Sequence, residues 1–365
     1  MEIPLSKPFL GEEEKNAVLG VLDSGFLARG RQVELFEEEF ARYIGVREAI
    51  ATSSGTSALF VALKALGVGE GDKVVTTPFT FVATASAIVQ CGGMPVFCDV
   101  DEETFNLDSS CLERVLKREK NVKGVIAVHL YGLPCDMEAI LSLKEQYGFF
   151  LLEDCAQAHG ASYRGKKVGS FGEMAAFSFY PTKNMTTGEG GMVVTDSSEL
   201  AQRCRMLINH GSRKRYYHEM LGYNFRMTDI AAAIGRVQLK KLEEANEKRR
   251  FNATFYNQAL MDLCPRVVTP KVPEGRVSVF HQYTLRLQEK RDELLAFLRN
   301  AGVGCEVYYP VPLHKQPFLV DMVANCSFPV AESLKDRVLS IPVHPQLKED
   351  ELNVVASLIR SFFAL

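Results

Sequence analysis

The residues whose types and spacing could do covalent chemistry lie in the stretch Phe177-Ser-Phe-Tyr-Pro-Thr-Lys183-Asn-Met-Thr-Thr-Gly-Glu-Gly-Gly191. One lysine stands there between an apolar, aromatic run and a glycine turn. Residues 173–179 are short and apolar and predict a buried strand. Pro181 bars further pairing and takes the chain out of the sheet. Gly188, Gly190 and Gly191 permit a tight reversal into a second strand at 192–195. Lys183 is therefore expected on a constrained loop beside a sheet. Its amine has two readings. It is a solvated loop lysine, the ordinary fate of the residue type, or a nucleophile that condenses with a carbonyl. Residues elsewhere in the chain decide between them.

A ligand held by such a lysine needs anchors. In Ala51-Thr-Ser-Ser-Gly55-Thr56-Ser57 small hydroxyl residues lead into Ala58, Leu59, Ala62, Leu63 and Leu66 at helical spacing, with Gly67 as a stop. The free amides and positive dipole end of that helix make an anion site, to which Ser54, Thr56 or Ser57 could add hydroxyls. The same hydroxyls could simply cap the helix. Gly67, Gly69 and Gly71 follow a helix rather than a strand, so they are not a dinucleotide fingerprint. Phe79 or Phe81, between a strand at 73–76 and an apolar helix, could stack on a flat ring or pack in the core. A buried strand at 149–152 runs into Glu153-Asp154-Cys-Ala-Gln157-Ala-His-Gly160. Ligands of open α/β sheets bind beyond the carboxyl ends of the strands. A carboxylate there could pair with a protonated ring nitrogen, and Gln157 could reach a ring oxygen. The alternative is that Asp154 caps a following helix.

Two more segments carry polar chemistry. Asn209-His-Gly-Ser-Arg213-Lys214-Arg215-Tyr-Tyr-His218 is basic and aromatic. It is either a surface loop or a clamp for an anionic substrate such as a diphosphate. Tyr309 and His314 flank Pro310 and Pro312, which stiffen that segment; taken alone, His314 reads as a structural histidine.

A phosphate site at a helix start, an aromatic for stacking, a carboxylate at a strand end and a lysine beside the sheet are together what pyridoxal 5′-phosphate (PLP) requires. None of these is specific alone; the ordered set is.

Helices are expected at 12–24, 32–44, 111–118, 136–147, 291–300 and 349–363, with further strands at 94–98, 122–130 and 282–287. The β-α-β-α alternation predicts a mostly parallel sheet with helices on both faces. Thr228 and Asp229 open a long helix to about 260 that links a large domain, 1–240, to a smaller C-terminal α/β domain, 241–365. At 365 residues and 47% hydrophobic, the chain has ample material for a large core. A net charge of −3 with no basic tail makes nucleic acid and anionic membrane surfaces unexpected partners. The nine cysteines show neither Cys-x-x-Cys nor a zinc-like cluster, so no metal is expected. Their scatter, the lack of a signal-peptide core and the lack of a long apolar run point to reduced thiols in a cytoplasmic protein.

Along nearly its whole length the chain resembles the sugar aminotransferases of the DegT/DnrJ/EryC1/StrS family, which have the aspartate-aminotransferase (fold type I) architecture. The resemblance is carried by Ser53-Ser-Gly-Thr-Ser-Ala-Leu59, Pro78-Phe-Thr-Phe-Val-Ala-Thr84, Glu153-Asp-Cys-Ala-Gln-Ala-His-Gly160, Phe177-Ser-Phe-Tyr-Pro-Thr-Lys-Asn184, Gly188-Glu-Gly-Gly191 and Gly222-Tyr-Asn-Phe-Arg-Met-Thr-Asp229. It implies that Lys183 binds PLP and shuttles the proton, that Asp154 faces the ring nitrogen and that Gln157 faces the ring hydroxyl. It implies phosphate contacts from Gly55, Thr56 and Ser178, and stacking by Phe81. It implies that Asn224 reaches the phosphate of a neighbouring subunit in an obligate homodimer, and that Tyr309 and His314 line the sugar pocket. Many members read His-Tyr-Pro where this chain has Tyr308-Tyr309-Pro310. The implied reaction moves an amino group from an amino acid, usually glutamate (released as 2-oxoglutarate), to a keto group on a nucleotide-linked sugar, for amino-sugar or polysaccharide biosynthesis. Two rivals share the fold. Sugar dehydratases using the pyridoxamine form carry histidine in place of the lysine, which Lys183 argues against. A regulatory or sensor protein would keep the fold without turnover.

Overall fold

The computed structural model describes residues 2–323 and 326–364; Met1 and Leu365, the outer limits of the two expected units, lie outside the described residues. Seven strands form the main sheet: β1 (Glu48–Thr52), β2 (Lys73–Thr76), β3 (Met94–Phe97), β4 (Val122–Val128), β5 (Phe150–Asp154), β6 (Met174–Ser178) and β7 (Gly191–Thr195). Their spatial order is β1-β7-β6-β5-β4-β2-β3. Neighbours from β6 across to β3 are parallel, and β7 runs against both its partners, β1 and β6. The expected mostly parallel α/β sheet is therefore what forms.

The helices of this body are α1 (Glu12–Ser24), α2 (Arg31–Ile44), α3 (Gly55–Ala65), α4 (Ala83–Gln90), α5 (Ser109–Arg118), α6 (Met137–Tyr147) and α7 (Ser198–Leu207). They cover both faces, and the strands alternate side chains between the resulting cores. In β7, Val193 joins the core under α3, while Met192 and Val194 join the core under α2. β1 and α7 have no counterpart among the sequence expectations. Both are short, and β1 reads Glu-Ala-Ile-Ala-Thr, with alanines where β-branched residues would have signalled a strand. α4 starts at Ala83 rather than beside Phe79, because the chain first bends at Thr77, whose Oγ1 accepts the Phe79 N–H at 3.0 Å.

The long helix α8 (Asp229–Leu260) opens on Thr228, which caps it by accepting the Ala231 N–H at 3.2 Å. Asp229 also caps α2, which has only Gly30 at its own cap, by accepting the amides of Gly30, Gln32 and Val33. The helix serves two cores in succession. Ala232 and Leu242 pack under the main sheet; Ala253, Tyr256 and Leu260 pack in a second core with Ile3 and the small sheet β8 (Val267–Val268), β9 (Tyr283–Leu287) and β10 (Val338–Ile341). α9 (Arg291–Asn300) and α11 (Glu349–Ala364) complete that core, and α10 (Pro329–Arg337) packs back against the main body. One buried face of α8 carries polar side chains that bind main-chain carbonyls. Asn246 takes His159 O at 2.8 Å, Arg249 takes Phe280 O and His281 O at 3.2 and 3.3 Å, and Asn252 takes His344 O at 3.1 Å. Cys91, Cys98, Cys135, Cys155, Cys204 and Cys305 are buried thiols. Among the described residues no helix is long and apolar enough to cross a membrane.

Candidate active site

The carboxyl ends of β2, β4, β5 and β6 point the same way, and the loops that leave them build one cleft. Asp154 is the last residue of β5 and is buried. No helix follows it, so it is not a helix cap. Its Oδ2 accepts the Thr84 hydroxyl of α4 at 2.9 Å and its Oδ1 accepts the Ala156 N–H at 3.1 Å. Burial pushes its carboxyl above the usual range, against the pull of these two bonds and of the charge on Lys183. Among the described residues it makes no ion pair at contact distance. Gln157 is buried beside it. Its Oε1 accepts the Tyr131 N–H at 2.7 Å, and its Nε2 donates to the Tyr309 hydroxyl at 3.0 Å.

Behind Asp154, His129, Glu153 and Cys155 converge, with ligand atoms within 4.8 Å of one another. These atoms are already engaged. His129 Nδ1 accepts the Cys135 N–H at 3.0 Å and its Nε2 meets Glu153 at 3.1 Å; Glu153 also accepts the amides of Gly169, Phe171 and Gly172. The cluster pins the loop after β5.

Lys183 leaves β6 through Pro181, and its N–H closes a turn onto Tyr180 O at 2.9 Å. The next residue anchors the loop. Asn184 donates to Asn246 Oδ1 at 2.8 Å and to Val279 O at 3.0 Å, and its Oδ1 meets His281 Nδ1 at 3.2 Å. With both amide hydrogens spent, Oδ1 must accept, so His281 carries its proton on Nδ1. Among the described residues the Lys183 amine makes no hydrogen bond or ion pair. The residue is partly exposed, yet desolvation pushes the amine down from 10.5 to about 8, with Asp154 pulling the other way. His159, buried against Phe177 and Phe179, is pushed down to about 3 by the same burial and by Lys183.

The start of α3 is capped by Ser54, which accepts the Ser57 N–H at 3.1 Å, while Ser57 Oγ accepts the Ser54 N–H at 2.9 Å. Capping and anion binding are thus not exclusive here: the cap satisfies Ser57 and leaves the amides of Gly55 and Thr56 at the tip. Ser178, the last residue of β6, closes over Gly55. A Cβ on Gly55 would lie 2.5 Å from the Ser178 Cβ. Gly191 likewise lets β7 pass Ser54, whose carbonyl would lie 2.3 Å from an added Cβ. A groove of about 430 Å³ opens at this tip, lined by Ser53, Ser54, Thr56, Phe60, Tyr223 and Phe225.

The structure separates the two phenylalanines. Phe79 is fully buried in the core, whereas Phe81 is 53% exposed at the cleft, 6.2 Å from the Tyr309 ring. Tyr309 comes to Asp154 and Gln157 from the C-terminal lobe. His314 does not present its ring to the cleft: it is buried, bonded through Nε2 to Glu332 at 2.9 Å and packed on Phe328 at 4.8 Å. Arg213 lies on an exposed hairpin of 212–214 and 217–218, paired with Glu219 at 3.5 Å; among the described residues no bond joins that hairpin to Lys183 or Asp154. Asn224 is exposed at the surface beside the α3 groove. Thr84, Tyr131, Asn184 and Asn246 were not singled out in the sequence. Thr84 and Asn184 lie inside the motifs that carry the family resemblance, but only the fold shows which atoms they hold.

Residues 8–360 match the DegT/DnrJ/EryC1/StrS aminotransferase family. The chain belongs to that family. Among curated relatives, the pleiotropic regulatory protein of Geobacillus stearothermophilus is 43% identical, covering 96% of each chain. A UDP-N-acetyl-3-dehydro-alpha-D-glucosamine 3-aminotransferase of Acidithiobacillus ferrooxidans is 40% identical over 96% of this chain and 94% of its own. The GDP-perosamine synthase of Vibrio cholerae is 36% identical over 99% of both. Among solved structures, S. venezuelae DesV superposes with a TM-score of 0.93 at 38% identity over 98% of both chains. Spr1654 from Streptococcus pneumoniae, solved in a PLP form, gives 0.91 at 26% identity over 99% of this chain and 98% of its own. The family's cofactor is PLP and its architecture is fold type I. The residues here fit that cofactor: among the described residues, a desolvated amine with no bonding partner, a buried carboxylate with no ion pair, and a helix tip kept open by Gly55.

Proposed function

We propose that this protein transfers an amino group from glutamate to a keto carbon, C3 or C4, of a nucleotide-linked sugar, acting as a cytoplasmic homodimer in amino-sugar or polysaccharide biosynthesis. The observation that carries the reading is the Lys183 amine, desolvated, without a bonding partner among the described residues and within the field of Asp154. When bound, PLP supplies a carbonyl carbon and an electron-withdrawing ring. Lys183 would hold that carbon and, once displaced by the amino acid, would move a proton with its Nζ as base and then as acid. Its pKa near 8 places the neutral amine within reach at ordinary pH. Asp154 would hold the ring nitrogen in its charged form, and would itself gain the cation that its burial lacks. Gln157 would donate to the ring oxygen, and Phe81 would cover one face of the ring. Gly55, Thr56 and Ser178 would hold the phosphate at the start of α3. Tyr309, bonded to Gln157 and beside Phe81, would line the place of the second substrate, and Arg213 on its exposed surface hairpin would serve only a long, anionic substrate that extends out of the cleft.

The names of the two relatives that act on UDP- and GDP-linked sugars support a nucleotide sugar over a free one. The protein loaded with PLP should lose its lysine-bound absorbance on addition of glutamate. It should regain that absorbance with UDP-N-acetyl-3-dehydro-alpha-D-glucosamine, or, in reverse, consume GDP-perosamine with 2-oxoglutarate. No spectral change with glutamate and no turnover of either sugar would remove the proposal. A regulatory reading is favoured by one observation, the name of the 43% identical relative. It predicts PLP binding with no aminated sugar from any nucleotide-linked ketone, so the same assay decides between them.

A further inference from the structure

We propose that Tyr131 is a positioning residue that sets both the direction of the Gln157 amide and the place of the Tyr308–Tyr309 segment, and so serves the keto-substrate half of the reaction. This rests on the aminotransferase reading above. Tyr131 lies just past β4, in the turn Leu130–Gly132, buried edge-on against Phe105 with ring centroids 5.4 Å apart. Its φ is 56°, in the left-handed region that a bulky residue seldom adopts. Such a conformation persists only where the surroundings over-determine it, and here every polar group of the residue is held.

Its N–H donates to Gln157 Oε1 at 2.7 Å. A backbone N–H can only donate, so the amide oxygen of Gln157 must face it and Nε2 must face the other way. On that side one Nε2 hydrogen goes to the Tyr309 hydroxyl at 3.0 Å, and the second is left for the cleft. Its carbonyl accepts the Gln282 N–H at 3.3 Å. Its hydroxyl donates to the Tyr308 carbonyl, with the Thr284 hydroxyl against it. Tyr131, Gln157, Tyr309 and Tyr308 therefore close a circuit that runs from the main sheet to the C-terminal lobe and back. Among the described residues no bond joins Tyr131 to Lys183 or Asp154; it acts through Gln157 and Tyr309.

Tyr131→Phe keeps the ring and the N–H to Gln157 and deletes only the hydroxyl tether. In the PLP-loaded protein, amides of residues 305–313 should exchange hydrogen about tenfold faster while those of 150–160 keep wild-type rates. The half-reaction with L-glutamate should stay within about twofold. The kcat/KM for UDP-N-acetyl-3-dehydro-alpha-D-glucosamine, or for GDP-perosamine with 2-oxoglutarate, should fall about tenfold, mostly through KM. Combining it with Tyr309→Phe should cost less than the product of the two losses, because both act on one circuit. Unchanged exchange at 305–313 overturns the proposal whatever the enzyme turns over. So does an equal loss in both half-reactions, which would mark a general structural role. Faster exchange in a protein that aminates neither sugar would instead sink the nucleotide-sugar reading and leave the tether standing.

Discussion

A lysine that must take a proton has to be neutral, and an ordinary lysine near neutral pH is not. Burial does this work at Lys183, bringing its amine from 10.5 to about 8. The same burial has a consequence for stability. Below about 8 the cofactor-free folded chain holds a desolvated cation that the unfolded chain carries freely in water, so the amine is destabilising there. Between about 8 and 10.5 the unfolded chain binds a proton that the folded chain has released, and stability rises with pH; above 10.5 the two states are equal. Cofactor-free Lys183→Met should therefore be more stable than the wild type at neutral pH, and the gap should close by the top of that window. Urea midpoints across the range measure it, and a gap that does not change with pH would show that the amine is solvated. In the PLP-loaded protein the same variant should lose on the order of 10²–10⁴-fold or more in turnover. Asp154 makes the complementary case. Asp154→Asn keeps the size and the contacts with Thr84 and Ala156 but not the charge. PLP should still bind, while the glutamate half-reaction slows by roughly 10²-fold in stopped flow; an unchanged rate would mean that Asp154 has only a packing role. At this scale the sequence was informative where a residue type is rare in its setting: an acid ending an apolar strand, a lysine before a glycine turn. It could not tell Phe79 from Phe81, since both are aromatic and two residues apart, and only the bend at Thr77 decides which one leaves the core. Nor could it show that Glu332 and Phe328 enclose His314.

At the scale of elements the site depends on two chain ends meeting, the start of α3 and the end of β6. Each was legible alone, α3 from its apolar spacing and β6 from its apolar run before Pro181. Their contact was not legible, because it follows from β7 reversing between β1 and β6, and β1 gave no strand signal. The meeting explains why position 55 is glycine. Its φ is not in the left-handed region, so no backbone strain is relieved there. What matters is space, because an added Cβ meets the Ser178 Cβ at 2.5 Å and its Cα at 3.1 Å. Gly55→Ala should push β6 away from the helix tip and widen the proposed phosphate cradle. The expected cost is about 1–3 kcal/mol of stability, as for other overpacked sites, together with a rise of about tenfold or more in the Kd for PLP by fluorescence titration. Ser178→Gly in the same background removes the colliding Cβ and should recover most of the stability but not all of the affinity. If Gly55→Ala bound PLP as the wild type does, Gly55 and Ser178 would not form the phosphate cradle. The long helix α8 was the most legible element, from its Thr228 cap to its end at Leu260. Its role was less so, since Asn246, Arg249 and Asn252 look like an ordinary solvated stripe until the carbonyls they bind are known.

For the whole molecule, one chain leaves open the tip of α3, the proposed phosphate end of the cleft. The groove at the tip of α3, about 430 Å³, is walled on one side by Tyr223 and Phe225, and Asn224 between them is exposed. A second copy that covered this groove and extended its own Asn224 toward the phosphate would complete two sites at once, the reciprocal arrangement of a two-fold dimer. This arrangement can be tested by complementation. Lys183→Ala supplies an intact Asn224 but a dead lysine, and Asn224→Ala supplies the reverse. Each variant alone should lose most of its turnover. Mixed in equal amounts, dissociated and reassociated, they should form mixed dimers in which one of the two clefts combines Lys183 of one protomer with Asn224 of its partner. Random pairing makes half of the dimers mixed, so about one quarter of wild-type activity should return, with PLP bound at wild-type affinity in that restored cleft. If each site were built from a single chain, every cleft in the mixture would still carry one defect, and the activity would stay at the sum of the separate variants. Sedimentation of the mixture as dimers, with no return of activity, would therefore reject the shared cleft while leaving the Lys183 chemistry intact.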